Sequence, residues 1–139
     1  MHDLWMRPSM VNETIVLVDD NAEARRLAHM ALETAGYKVF SAMGGAEALK
    51  MLSRLNIQPS LLIASMEMPK MNGFQVANAM MVLVSDLAVL FISGSLQARF
   101  THGIGRNDVA ELLPKPFTAT ALLRKVREIL DRPSLSPTT

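Results

Sequence analysis

Short runs of apolar residues alternate along this chain with stretches whose apolar positions repeat at helical spacing, and the alternation recurs five times. The runs are Ile15-Val16-Leu17-Val18, Tyr37-Lys38-Val39-Phe40, Leu61-Leu62-Ile63-Ala64, Ala88-Val89-Leu90-Phe91-Ile92 and a weaker one from Val109 to Leu113. Most are continuously apolar rather than alternating, the pattern of strands covered on both faces of a parallel sheet. Between them, Leu27, Met30, Ala31 and Thr34 predict one face of a first helix, which Gly36 closes in the left-handed conformation, and His29 falls on its opposite, solvated side. Ala48, Met51, Leu52 and Leu55 form a second stripe, and Phe74, Ala77, Met80 and Met81 a third. A short fourth helix is expected within Leu96 to His102. A fifth, carrying Leu122, Val126 and Ile129, is entered through Thr118 as N-cap.

Five such units with short, right-handed crossovers predict a doubly wound α/β sandwich, flavodoxin-like (βα)5, around a five-stranded parallel sheet in the order 2-1-3-4-5. Residues 14–131 form this one domain. Residues 1–13 and 132–139 read as tails, the second rich in Ser, Thr and Pro.

Composition narrows the function classes. The 14 basic and 13 acidic residues leave a net charge of +1 with no strong clustering, which argues against a nucleic-acid or anionic-lipid partner. Without cysteine there is no disulfide, thiolate metal site or thiol nucleophile. No apolar run approaches the ~20 residues that span a bilayer, and the opening MHDLWMRPSMVNE lacks a signal-peptide core, so a cytoplasmic location is expected. The eleven methionines fit flexible core packing. Arg124, Lys125, Arg127 and Arg132 fit a solvated helix face.

In such a sheet, chemistry gathers at the carboxyl ends of the strands. There strand 1 ends in Asp19-Asp20, strand 3 in Ser65, strand 4 in Ser93 and strand 5 in Lys115-Pro116. Paired carboxylates suit a hard divalent cation such as Mg²⁺, and they equally suit capping of the first helix with Asn21. Ser93 is placed for an anion contact or for capping the next helix. Lys115 precedes a proline whose cis bond would fix its direction. A serine hydrolase on Ser65 lacks the G-x-S-x-G elbow, because the sequence there is Ile63-Ala64-Ser65-Met66-Glu67. A flavodoxin-type cofactor would meet an acidic loop, Asp19-Asp20-Asn21, that repels phosphate.

These residues together resemble the receiver domain of response regulators in two-component signalling, across residues 14–131. The resemblance rests on Asp19-Asp20, the loop Met68-Pro69-Lys70-Met71-Asn72-Gly73, Ser93, and Lys115-Pro116-Phe117. The stretches VLFISG and LLPKPFTATALLRKVREIL look especially like receiver segments of hybrid sensor histidine kinases. The resemblance implies a phosphoacceptor aspartate at position 65, where this chain has Ser65. It implies Mg²⁺ held by Asp20 directly, by Asp19 through water and by the backbone carbonyl of Glu67, with Ser93 and Lys115 contacting phosphoryl oxygens. The aromatic switch position falls on Leu112.

Both departures point the same way. A carboxylate with pKa near about 3.9 is ionised at neutral pH, whereas a serine hydroxyl needs a base, and none of His2, His29 and His102 is placed to serve. Losing the carboxylate also weakens any Mg²⁺ site. The expectation is an atypical, non-enzymatic receiver that acts by protein-protein contact with a histidine kinase or another signalling protein, or with a second copy of itself. The contact would use the face of the fourth and fifth predicted helices and the fifth strand. The competing expectation keeps phosphorylation, with Ser65 replacing a natural aspartate or itself taking the phosphoryl group.

Overall fold

In a computed structural model, residues 13–95 and 110–132 are described. The strands are β1 (Thr14–Val18), β2 (Lys38–Ala42), β3 (Leu61–Ser65), β4 (Ala88–Ser93) and β5 (Ala110–Pro114). The described helices are α1 (Ala22–Thr34), α2 (Gly45–Leu55), α3 (Gly73–Leu83) and α4 (Ala119–Leu130), the last being the fifth of those predicted. The helix expected within Leu96 to His102 lies outside the described residues. All four strand pairings are parallel, and the sheet runs β2-β1-β3-β4-β5, the predicted order.

Because side chains alternate across a strand, each run of apolar residues feeds two cores. Val16, Val18, Leu62, Ala64, Val89 and Phe91 pack with Ala48, Leu52, Val76 and Met80 of α2 and α3. Ile15, Leu17, Leu61, Ile63, Leu90 and Ile92 pack with Ala28 and Leu32 of α1 and Leu122, Val126 and Ile129 of α4. Both faces of the sheet are covered, which is why the central strands read as unbroken apolar runs.

Local signals set the helix ends. Asn21, Asn72 and Thr118 each accept a hydrogen bond from a backbone N–H in the first turn, and Asn72 with Gln75 completes a capping box. Gly36, at φ 103°, follows α1 in the left-handed region as predicted.

The face of α1 differs from its sequence reading. Leu27 and Met30 are exposed (42% and 61%), whereas Ala28 and Leu32 are buried. The core stripe is thus offset by one residue, with Ala28 and Leu32 packed in the cluster that holds Ile15, Leu17 and Val39 of β1 and β2. His29 correspondingly turns inward: its Nδ1 meets Ser41 Oγ of β2 at 2.5 Å and its Nε2 lies 3.2 Å from Glu33, so it is half-buried rather than solvated. Leu55 of α2 is also exposed, as are Met30 and Met43 among the methionines.

The basic residues of α4 do more than face solvent. Arg127 forks onto both Glu13 oxygens at 3.1 Å and donates to the Tyr37 hydroxyl at 2.9 Å, tying the start of β1 and the α1–β2 turn to α4. Lys125 and Arg132 both pair with Glu111 of β5, at 3.3 and 2.7 Å. Burial alone would raise the Glu111 carboxyl, but hydrogen bonds from Arg132 and Lys125 outweigh it and hold it below the usual 4.5. A carboxyl lowered on folding stabilises the native state above its unfolded pKa and loses that contribution as pH falls through the folded one. Glu111→Gln is therefore expected to lower Tm at neutral pH and to flatten the fall of Tm below pH 4.5. Thermal melts of both proteins across that range check it, and parallel acid limbs would contradict it.

Candidate functional site

The sheet register brings the polar ends of β1, β3, β4 and β5 to one edge. Asp19 follows β1 directly and is 1% exposed, its N–H donating to the Ala42 carbonyl at 3.2 Å. Ser65 ends β3 and is fully buried. Pairing of β3 with β4 runs one residue further, since Met66 N–H donates to the Ile92 carbonyl at 2.8 Å. Ser93, 2% exposed, ends β4, and Lys115 N–H donates to its carbonyl at 2.8 Å. The Lys115-Pro116 peptide is cis.

The buried acid is neutralised from across the sheet. Lys115 Nζ lies 3.1 Å from Asp19 Oδ2 and 3.4 Å from Oδ1. Oδ1 also accepts from the Asn21 N–H at 3.0 Å, whereas Oδ2 has no hydrogen bond of good geometry and depends on the ammonium charge. A buried carboxylate without a cation would be costly, so this pair fixes the direction of Lys115. Arg25 donates to the Asp19 carbonyl at 2.7 Å, which further seats the start of α1. Asp20 is exposed. The helix cap is Asn21, whose side chain accepts from Ala24 N–H at 2.8 Å; Asp19 is bound up with Lys115 instead.

Ser65 Oγ faces the Glu67 carbonyl at 3.4 Å, a long contact and the one hydrogen bond described for this hydroxyl. No base approaches it among the described residues: His29 is engaged at the α1–β2 corner, and His2 and His102 lie outside them. Gly73 closes the loop against the site, where an added Cβ would lie 2.7 Å from the Ser65 carbonyl oxygen. Only glycine allows α3 to start this close to the β3 backbone.

Sequence reasoning did not place the side chain of Glu67 against the end of β4. Its Oε2 accepts from Ser93 Oγ at 2.5 Å and its Oε1 from the Gly94 N–H at 3.2 Å, so the carboxylate bridges from the β3 loop to the end of β4. The signal that could have found it is the register, because Ser65 lies opposite Ile92 and two residues further along each chain bring Glu67 level with Gly94, next to Ser93. Leu112 is half-buried on β5, opposite Phe91, and packs on the α2–α3 side of the sheet.

A Mg²⁺ ion would need oxygen ligands free to turn toward it. The unsatisfied Asp19 Oδ2 is such an atom, yet Lys115 already sits 3.1 Å away, and the Glu67 carbonyl faces the Ser65 hydroxyl. Among the described residues no three acidic or histidine side chains converge on one point. Two carboxylates, one of them already paired with Lys115, and one backbone carbonyl make a weak donor set for a divalent cation. Nor is any described helix long and apolar enough to cross a membrane.

Comparison with known proteins agrees with this architecture. The family model described as "Response regulator receiver domain" matches residues 15–127. The response regulator receiver protein CpdR of Brucella abortus is 32% identical over 117 residues, covering 84% of this chain and 95% of the relative. The sensor kinase CckA of the same organism is 29% identical over 119 residues, but there the chain spans only 13% of the relative's length. Among solved structures, the receiver domain from hybrid histidine kinase CckA is 27% identical, with TM-score 0.70 over 84% of this chain and 98% of that one. TrrA of Thermotoga maritima, solved in complex with Mg(2+)-BeF, is 27% identical with TM-score 0.71 over the same shares. The fold is shared with chemotaxis protein CheY4 of Vibrio cholerae, 24% identical with TM-score 0.75 over 84% and 98% of the two chains. With the strand order, the acidic end of β1 and the lysine that follows β5 in place, the chain belongs to the response regulator receiver domain family.

Proposed function

We propose that this receiver does not cycle through aspartyl phosphate and that it signals by protein-protein contact. The observation that carries the reading is Ser65: the hydroxyl is fully buried, without a base, at the end of β3 where the family places its phosphoacceptor. An alcohol in that setting is a poor nucleophile, and it supplies no charge for a metal. Mg²⁺ binding through Asp19, Asp20 and the Glu67 carbonyl is correspondingly weakened, and the domain is not an enzyme. Leu112, at the place of the aromatic switch residue, is already packed against the core. The partner is a histidine kinase or another signalling protein in the cytoplasm, or a second copy of the chain, engaged through β5 and α4. Nucleic acid and membrane have no part in it.

Beryllium fluoride with Mg²⁺, a phosphoryl mimic that needs an aspartate, tests this. Amide NMR spectra of the full chain should be the same with and without it. Shifts spreading from Ser65 to Ser93 and Lys115 would contradict the reading.

A further inference from the structure

The place that Ser93 and Lys115 would offer to an incoming anion is not vacant of charge. The Glu67 carboxylate already takes the Ser93 hydroxyl at 2.5 Å and the Gly94 N–H at 3.2 Å, using both of its oxygens. The two donors are fixed independently of it. Ser93 is buried at the end of a strand paired on both sides, and the Ser95 N–H donates to its Oγ at 3.0 Å, which polarises the hydroxyl toward a further acceptor. Hydrogen bonds to an ionised acceptor are the strong kind, and here both come from donors that need no rearrangement. Lys115 is meanwhile held by Asp19, so the glutamate is bound by hydrogen bonds from β4 rather than by the nearby cation.

We propose that the Glu67 carboxylate is a resident anion that holds the carboxyl end of β4, Ser93 to Ser95, in an anion-bound arrangement without any phosphate. The inference rests on the reading above and supplies what it left open, namely which state an unphosphorylated receiver adopts. Glu67 acts as a positioning residue: it links the loop after β3 to the loop after β4, and it fills the contacts an external oxyanion would use. The module is then set in one state by its own sequence.

The test uses the full chain with Glu67→Ala, Glu67→Gln and Ser93→Ala, read by amide NMR with inorganic phosphate as the probe. Glu67→Ala should move the Gly94 and Ser95 amides and open the cradle, so that phosphate shifts them with an affinity about tenfold or more above wild type, the effect of freeing charge-assisted donors. Glu67→Gln keeps acceptor and donor atoms without the charge and should fall between the two. Ser93→Ala breaks the Oε2 contact alone and should move Gly94 less than Glu67→Ala, which also removes the acceptor of the Gly94 N–H, so adding Glu67→Ala to Ser93→Ala should move Gly94 further. Glu67 is exposed, so its replacement leaves the cores intact. A Gly94 amide unmoved by Glu67→Ala, or equal phosphate responses in wild type and variant, would overturn the proposal. A phosphoryl adduct on the wild-type chain would instead sink the reading of Ser65, and the amide comparison would stand apart from it.

Discussion

Ser65→Asp is expected to let the chain take a phosphoryl group from acetyl phosphate in the presence of Mg²⁺. The substitution supplies a carboxylate that is ionised without help from a base, on the strand whose pairing with β1 ends at Val18 and Ala64, one residue before Asp19. It also has a cost that the measurement can read. Two carboxylates about 4 Å apart repel by about 4 kcal/mol at a surface-like dielectric, so an added acid at a fully buried position should lower stability in metal-free buffer. Mg²⁺ should recover most of that loss in the variant and do little for the wild type. Melting curves with and without Mg²⁺, run beside intact mass after acetyl phosphate, separate the two effects. A variant that gains neither Mg²⁺ dependence nor an adduct would mean that more than the hydroxyl disables the site.

Lys115→Met is the second large effect, and it acts on stability. Asp19 is 1% exposed and its Oδ2 has only the ammonium at 3.1 Å for company. Removing one partner of a buried pair leaves an uncompensated charge, which costs about 3–5 kcal/mol in dry surroundings. The Lys115 side chain is 24% exposed, so water can reach part of the site and the low end, about 3 kcal/mol, is expected. Against a total stability of about 5–15 kcal/mol this is a large share. The double substitution Asp19→Asn with Lys115→Met should recover much of it, because the charge that was stranded is gone. Denaturant titration of the three variants measures this. A loss below about 0.5 kcal/mol in Lys115→Met would show that the pair is solvated and fixes nothing.

What could be read from the sequence follows from where side chains report their surroundings. Strands buried on both faces leave unbroken apolar runs, so β1, β3 and β4 and the strand order were legible. The polar residue that ends each run marked the site edge, and Asp19, Ser65, Ser93 and Lys115 lie along that edge of the sheet. The face of α1 was not legible: Leu27 and Met30 continue the apolar periodicity as well as Ala28 and Leu32 do, and only packing against β1 and β2 decides between them. His29 was misplaced for the same reason, since its inward turn depends on that offset and on Ser41 across the corner. The role of the Glu67 side chain was hidden because its partners lie 26 and 27 residues away and are brought near only by the register of two parallel strands. Arg127 likewise looked like a surface cation until Glu13, distant in sequence, was placed beside it.

The whole account turns on Ser65 being chemically silent toward phosphodonors. Intact-protein mass spectrometry of the wild-type chain after incubation with acetyl phosphate and Mg²⁺ addresses that directly. The mass should be unchanged at times when Ser65→Asp is substantially modified. A stoichiometric phosphoryl increment on the wild type, stable in acid and lost in base, would place a phosphoserine on this receiver and contradict the account.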